Sequence, residues 1–370
     1  TPIAPTATPN TLHVTPGQGW VTAAVPFGKS VAFSGIDPLT GYACGNTDTS
    51  GLSGAAIMLA VTHDGGRMWS APVQTPTTGG DCRLLISPVD AQAIVVQGYP
   101  VCPATFCTLG PGDAYYVSRD GGANWQKLTL PNVSSPQNTY ISALWVGADL
   151  YIYGDTSQGH LEIAVSIAGA PFTIINVDKT LASIIQQSGL PETFFAIGPS
   201  TFAVYANAYS SRCLQTPALC PIYTTSDHGA TWQHYTPSGP FPQNLYVGDD
   251  GHTLYGDGAK AVGVSTSVDG GKTWTTVAGG AYPQLPTTGL FGTIIATPDG
   301  ALFGTEFIAG GGPVFQLTSA GWQTVATVSG WQFETVSYDA NGHPVALWAQ
   351  NGKFATDHLP PGIAYHAPLS

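Results

Sequence analysis

Four copies of one octapeptide decide the fold of this chain: residues 62–69 (THDGGRMW), 118–125 (SRDGGANW), 225–232 (TSDHGATW) and 267–274 (SVDGGKTW). All four read Ser/Thr-x-Asp-x-Gly-x-x-Trp, and each lies between an apolar or Tyr-rich run and a second short strand pattern. This arrangement predicts that each octapeptide is the turn of a β-hairpin. In that turn the Asp can accept backbone N–H bonds, the Gly takes a positive φ, and the hydroxyl adds a further bond.

These octapeptides resemble the Asp box, or bacterial neuraminidase repeat, of sialidases, sortilin-type receptors, certain xyloglucan hydrolases and a photosystem II assembly factor. In that superfamily the box joins the two outer strands of a propeller blade and faces away from the ligand-binding side. The resemblance implies that the box residues are structural and hold no metal: Asp64, Trp69, Asp120, Trp125, Asp227, Trp232, Asp269 and Trp274. The Trp is expected to fill the gap between neighbouring hairpins.

Weaker repeats set the number of blades. Shortened boxes without the Asp occur at 166–172 (SIAGAPF) and 318–322 (TSAGW), so that boxes recur roughly every 40 to 60 residues, as four-stranded blades require. A second series of turns, expected to join the two inner strands of each blade, lies at Asp90, Ala148, Pro199, Asp250, Asp299 and Asn341. We therefore predict an all-β fold, a single β-propeller of four-stranded antiparallel blades, with seven blades and six as the alternative.

The last blade is expected to close the ring. The strand patterns at 344–350 (PVALWAQ) and 353–359 (KFATDHL) follow the last inner turn, but no box follows them. The N-terminal segment 20–25 (WVTAAV) can supply the missing outer strand, which removes the free sheet edge. In this interpretation residues 1–11 are a Thr/Pro-rich linker and residues 12–370 form one propeller domain.

Six cysteines indicate an oxidising compartment. Their number is even and none has zinc-finger spacing, so disulfides are favoured over the alternative of buried free thiols. The expected pairs are Cys102 with Cys107 and Cys213 with Cys220 in loops, and Cys44 with Cys82 between consecutive blades. No apolar run approaches the roughly 18 residues of a membrane helix. We expect a monomer that is secreted or held at the cell surface.

The charge balance disfavours nucleic acid as a partner. The chain has 22 acidic and 10 basic side chains, a formal charge of -12, and so lacks a cationic surface for phosphates. A sialidase is also disfavoured, because those enzymes clamp a carboxylate with three arginines and this chain has four in all. Two of them, Arg67 and Arg119, lie inside Asp boxes.

Other glycoside hydrolases need two carboxylates that flank the glycosidic bond. Candidate catalytic residues are Glu306, Glu334 and Glu192, with Asp81, Asp155 and Asp257 at strand ends. Nothing in the sequence brings two of them together. A glycoside hydrolase that uses such a pair at the channel mouth therefore remains the alternative function.

A recognition or scaffold module is the favoured function. The sequence has no phosphate-binding loop, nucleophile elbow or His-Glu-x-x-His motif, so no cofactor or metal is expected. A neutral glycan or a protein partner is expected to bind at a channel mouth bounded by the cysteine loops of the second and fourth blades. The candidate ligand-binding residues are Arg83, Arg212, Trp331 and Tyr209.

Overall fold

A computed structural model describes the chain at residues 21–23, 30–46, 55–79, 81–99, 114–129, 141–155, 161–177, 181–182, 193–205, 221–239, 244–248, 253–257, 263–277, 291–297, 299–306, 312–327, 331–351 and 364–366. Within these ranges the strands form seven four-stranded antiparallel sheets, called blades below. The predicted seven-bladed propeller is therefore confirmed.

The first strand of the chain, β1 (Val21–Ala23), belongs to the last blade. Blade 1 contains β2 (Ser30–Phe33), β3 (Gly41–Asn46), β4 (Ala56–Thr62) and β5 (Val73–Thr78). Blade 2 contains β6 (Asp81–Ile86), β7 (Ile94–Tyr99), β8 (Ala114–Ser118) and β9 (Gln126–Lys127). Blade 3 contains β10 (Ile141–Val146), β11 (Asp149–Asp155), β12 (Leu161–Ser166) and β13 (Thr173–Ile174).

Blade 4 contains β14 (Thr193–Ile197), β15 (Thr201–Tyr205), β16 (Ile222–Thr225) and β17 (Gln233–Tyr235). Blade 5 contains β18 (Asn244–Val247), β19 (Leu254–Asp257), β20 (Val264–Ser267) and β21 (Thr275–Thr276). Blade 6 contains β22 (Phe291–Ala296), β23 (Leu302–Glu306), β24 (Pro313–Thr318) and β25 (Gly321–Thr327). Blade 7 contains β26 (Trp331–Tyr338), β27 (Pro344–Asn351), β28 (Ala364–His366) and β1.

The N-terminal strand closes the ring as the sequence predicts. Val21 pairs with His366 and Ala23 with Ala364, so β1 is the fourth strand of blade 7. The third strand of that blade begins at Ala364, which lies downstream of the predicted segment 353–359. Residues 353–359 lie outside the described residues.

Each blade runs outward from the ring axis. First strands of neighbouring blades contact one another, as β26, β2, β6 and β10 do, so the first strand is innermost. Because successive strands are antiparallel, the first turn and the box of a blade lie on the same face of the ring. Gly65 of the first box accordingly donates to the carbonyl of Leu39 in the first turn, at 3.0 Å. We call this face the box face, and the opposite one the loop face.

The box turns form the local bonds that their sequence predicts. In the second box the Ser118 hydroxyl donates to the Asp120 carboxylate at 2.8 Å and accepts the N–H of Gly122 at 2.8 Å. The same carboxylate accepts the N–H of Asn124 at 2.8 Å. Gly122 has φ +97°, and a Cβ there would meet Leu59 of the preceding blade at 2.6 Å. A glycine is therefore required for both backbone conformation and space.

The aromatic residue of each box fills the interface with the preceding blade. Trp125 packs into the apolar cluster of blades 1 and 2, and Trp232 into that of blades 3 and 4. Phe172 and Trp322 take the same position in the two shortened boxes. The predicted gap-filling role of the box aromatic is confirmed, and it extends to boxes that lack the Asp.

A disulfide joins blades 1 and 2. Cys44 of β3 and Cys82 of β6 form this bond, as predicted, and both are buried. No free cysteine occurs in the parts of the chain that the structure describes. The other predicted pairs, Cys102 with Cys107 and Cys213 with Cys220, lie outside those parts, as do residues 1–11.

Candidate functional site

A cavity of about 470 Å³ lies where the first strands meet around the ring axis. Its described lining comes from β2, β6, β18, β22 and β26, in blades 1, 2, 5, 6 and 7. The sequence predicted a working surface bounded by blades 2 and 4. Of these two, blade 2 contributes to the described lining, and the connections 100–113 and 206–220 lie outside the described residues.

The cavity wall consists largely of strand edges. β2 contributes all four of its residues and β6 the consecutive residues 82–84. Successive side chains of a strand point to opposite faces, so a run of consecutive lining residues means that the backbone edge faces the cavity. Each first strand is the end strand of its sheet, so this inner edge has no neighbouring strand in the ladder. Such an edge can exchange backbone hydrogen bonds with a bound segment.

Arg83 supplies a positive charge to this wall. It lies on β6 opposite Gln97, is exposed, and also borders a small gap between blades 2 and 3 beside Ser142. Burial raises the pKa of the nearby Tyr153 phenol, while a hydrogen bond with Ser142 and the charge of Arg83 oppose that rise. Both ion pairs among the described residues join a His to an Asp, so Arg83 has no carboxylate partner there.

Glu334 supplies the negative charge of the described lining. It lies in β26 at a β-bulge, since Phe333 pairs with Ala349 and the next ladder pair is Thr335 with Trp348. The extra residue shifts the alternation of the strand, so that Glu334 and Thr335 are both half-buried and both line the cavity. A bulge of this kind places a carboxyl group at the wall without breaking the sheet.

The other predicted site residues are described only by their position in a strand, or lie outside the described residues. Glu306 ends β23 and Trp331 begins β26, and their side chains are outside the described residues. Asp81 begins β6, while Asp155 ends β11 and Asp257 ends β19, at the loop-face ends of their strands. Three further candidates lie outside the described residues: Glu192, Tyr209 and Arg212. The structure therefore brings Arg83 and Glu334 to one cavity.

Several lining residues were missed by the sequence interpretation. Tyr246 of β18 and Ile294 of β22 line the cavity together with Ser30 of β2. The signal that finds two of them is positional, because Tyr246 and Ile294 lie on strands just before predicted inner turns. Counting back from those turns identifies the innermost strands, although it does not identify the side of the ring on which the cavity opens.

The box aspartates are bound within their own turns. The side chain of Asn124 and two further donors hold the pKa of Asp120 at about 2, and Thr231 acts likewise on Asp227, whose pKa is also about 2. No group of three His, Cys, Asp or Glu side chains among the described residues could hold a metal ion. In the same residues no helix is long and apolar enough to cross a membrane.

Comparisons with known proteins agree with this architecture. The model of the BNR/Asp-box repeat matches residues 116–127, which contain the whole second box. The chain is a β-propeller that contains an Asp-box repeat. A search of curated protein sequences found no match to this propeller.

Solved structures resemble the propeller over its whole length. YCF48 bound to D1 peptide is 17% identical, with 100% of this chain and 99% of that chain covered and a TM-score of 0.52. YCF48 from Cyanidioschyzon merolae is 13% identical over 94% and 98% of the two chains, with a TM-score of 0.48. A prolyl endopeptidase structure is 13% identical over 89% of this chain and 47% of its own, with a TM-score of 0.51. At these identities the likeness shows the fold alone.

Proposed function

We propose that this propeller is a recognition module that works outside the cytoplasm and binds its ligand in the central cavity. The observation that carries the proposal is the cavity of about 470 Å³, whose described charges are Arg83 and Glu334 and whose walls are strand edges. A cavity of this size falls within the range of ligand-binding sites. The ligand is a segment of a protein partner or of a neutral glycan.

The chemistry of the wall favours an uncharged, hydrogen-bonding ligand. One guanidinium and one carboxyl group leave no net charge on the described lining. Backbone edges offer alternating N–H and C=O groups, which match peptide amides and sugar hydroxyls. A D1 peptide is bound in the YCF48 structure of the same fold, and this supports a peptide segment as one form of the ligand.

The location outside the cytoplasm is supported by cysteine chemistry. Cys44 and Cys82 form a disulfide between two blades, and such bonds persist in oxidising compartments. The acidic charge of the chain is compatible with a partner that is not a nucleic acid.

Glycoside hydrolysis is a second candidate, favoured by the presence of Glu334 at the cavity wall. The reaction needs a second carboxyl group at a set distance from the first. Among the cavity-lining side chains that the structure describes, Glu334 is the one carboxylate. Binding without hydrolysis therefore fits the described geometry better.

The test is a comparison of binding and hydrolysis in one set of variants. Wild type, Arg83→Ala and Glu334→Gln are applied to a glycan array and a peptide array, and Lys127→Ala serves as the control. Lys127 is an exposed cation on the fourth strand of blade 2, so its loss removes the same charge away from the cavity. We expect each cavity variant to weaken binding of the selected ligand about tenfold, which is about 1.4 kcal/mol, and the control to leave it unchanged.

Hydrolysis assays on plant and microbial polysaccharides are run with the same proteins. We expect no turnover by wild type. Turnover that is lost in Glu334→Gln would instead establish the hydrolase, and ligand binding that survives both cavity variants would place the site elsewhere.

A further inference from the structure

A second cavity of about 200 Å³ lies on the box face between blades 4 and 5. It is lined by residues of β14 to β17 together with the boxes of blades 4 and 5, and shares no residue with the described lining of the central cavity. The residues that matter for its chemistry are Thr201, Thr224, Gln233, Tyr235, Asp269 and Lys272. We call this cavity the 4–5 cleft.

The 2–3 and 3–4 interfaces of the same ring are closed by apolar pairs at the equivalent positions. Between blades 2 and 3 the residue before the box hydroxyl is Val117, and Leu128 follows the box; both are buried. Between blades 3 and 4 the corresponding residues are Val165 and Ile175, which are also buried. These two interfaces therefore provide an internal comparison for the 4–5 cleft.

The 4–5 interface replaces both apolar residues by polar ones. Thr224 takes the position of Val117 and Val165, and Tyr235 takes that of Leu128 and Ile175. The phenol of Tyr235 reaches across the interface and donates to the carbonyl of Gly270 in the next box. Replacing an apolar side chain at a blade interface by one with a hydroxyl group reduces apolar packing. The replacement is unfavourable unless the hydroxyl gains a hydrogen-bond partner.

Three side chains in the cleft are available to a ligand. Within the described part of the chain, the side chains of Thr201, Thr224 and Gln233 form no hydrogen bond, and all three line the cleft. Threonine hydroxyls and the glutamine amide each both donate and accept. That combination matches ligand hydroxyl groups, which do the same, better than it matches an anion, which only accepts.

The charges at the cleft balance. Lys272 is exposed, and its ammonium group lies 5.6 Å from the centroid of the Tyr235 ring. The Asp269 carboxylate accepts bonds from the Ser267 hydroxyl and the Thr273 backbone N–H, at 2.8 and 2.9 Å. One positive and one negative group at the same cleft favour a ligand without net charge.

We infer that the 4–5 cleft binds one sugar ring of a neutral glycan. Its volume of about 200 Å³ is many times the roughly 10–15 Å³ that a single water needs, and is sufficient for one pyranose. The Thr201, Thr224 and Gln233 side chains bond the ring hydroxyls, and Tyr235 forms an amphipathic wall beside them. This site is separate from the proposed central site, and either can fail without the other.

Saturation-transfer NMR and calorimetry with free monosaccharides test the inference. The panel contains glucose, galactose, mannose, xylose and N-acetylglucosamine at millimolar concentration, with acetate and inorganic phosphate as ionic probes. We expect at least one sugar to bind and Thr224→Val to weaken its affinity at least tenfold. Valine is the residue of blades 2 and 3 at this position, so the variant should fold, which a thermal melt checks.

Thr266→Val is the matched control. Thr266 is the equivalent residue of blade 5, where its hydroxyl donates to the Leu254 carbonyl at 3.1 Å and lies outside the cleft. We expect Thr266→Val to bind the sugar as wild type does. The inference is overturned if no sugar binds the folded protein, or if Thr224→Val binds as tightly as wild type. It is also overturned if only acetate or phosphate binds and Lys272→Gln abolishes that binding.

Discussion

The full boxes of blades 1, 2, 4 and 5 differ from the shortened boxes of blades 3 and 6 in one component. Both kinds place an aromatic side chain in the interface with the preceding blade and turn the chain between the third and fourth strands. The shortened boxes lack the aspartate that closes the full ones. The difference teaches that the aromatic contact is common to all boxes, whereas the aspartate is one of several ways to close the turn.

Blade 3 takes its carboxylate from another turn. Asp149, the first residue of β11, accepts the backbone N–H of Ala168 in the shortened box at 3.0 Å. Its other oxygen lies 2.9 Å from His228 in the box of blade 4. A carboxylate from the first turn thus closes the box of its own blade and also joins that blade to the next.

In blade 6 the shortened box is stabilised by a longer ladder between the third and fourth strands. The Thr318 hydroxyl donates to the Gly321 carbonyl at 2.9 Å, and β24 pairs with β25 from Pro313 to Thr318. In blade 4 the third and fourth strands pair at three positions. More ladder bonds in the outer strand take the place of the bonds to an aspartate.

The largest effect is expected from the aromatic residue. Trp274 is 2% exposed between blades 4 and 5, so Trp274→Ala should lower the free energy of unfolding by about 3–5 kcal/mol. Phe172 of the shortened box is half-buried, and Phe172→Ala should lower it by about 1–2 kcal/mol. Chemical denaturation measures both. Equal losses would mean that the two interfaces depend on their aromatic residues to the same degree.

Loss of Asp149, which closes the shortened box of blade 3, should destabilise the protein as much as loss of the full-box aspartate Asp269. Asp269→Ala removes the acceptor of the Thr273 N–H, and Asp149→Ala removes that of the Ala168 N–H. Each should lower the free energy of unfolding by about 1–2 kcal/mol. Asp299→Ala, in an inner turn of blade 6, is the control for loss of a turn carboxylate outside any box. A negligible effect of Asp149→Ala would refute its role in closing blade 3.

Low pH should destabilise the protein by protonating the aspartates of the full boxes. Hydrogen bonds from Asn124 and Thr231 hold the pKa values of Asp120 and Asp227 at about 2, against an ordinary value of 3.8. A lowered folded-state pKa contributes stability that is present above the ordinary value and is lost as pH falls towards 2. We expect Tm to decline between about pH 4 and pH 2, and less steeply in Asp120→Asn. An unchanged slope in that variant would contradict the assignment.

A smaller effect is expected from substitution of His228, the fourth residue of the full box in blade 4. The other full boxes have glycine at this position, namely Gly65, Gly121 and Gly270, whereas His228 adopts φ +57° and contacts Asp149. His228→Gly relieves the backbone strain but loses the contact, so its effect should be under about 1 kcal/mol. His228→Ala loses the contact and keeps the strain, so it should be less stable than His228→Gly by about 1 kcal/mol. Thermal melts at neutral pH compare the two variants.

The smallest effect is expected on ligand binding. Asp120 lies on the box face, and its bonds are to its own turn, so Asp120→Ala should bind the ligand of the central cavity as wild type does. The array assay at a temperature where the variant stays folded tests this. If the variant kept full stability and lost binding, the box would be part of the functional site.

Much of the fold could be predicted because box bonds are local. Every hydrogen bond of the Ser118 hydroxyl and the Asp120 carboxylate joins residues at most four positions apart, so the eight residues of the box contain all the partners of these two side chains. Six boxes, followed by a last inner turn that no box follows, then predict seven blades, and the predicted closing segment 20–25 contains the observed strand Val21–Ala23. The third strand of blade 7, β28, is identified by its ladder with β27, because strand patterns alone do not specify a partner.

The sequence by itself determined the repeat, the turns, the pairing of Cys44 with Cys82 and the candidate residues Arg83 and Glu334. The tertiary structure alone decided that these two residues line one cavity, that Asp149 closes the box of blade 3, and that Thr224 and Tyr235 open a cleft. The reason is physical: a turn is stabilised by neighbours in the chain, whereas a cavity wall is assembled from strands of separate blades. Which side chains meet there depends on the closure of the whole ring.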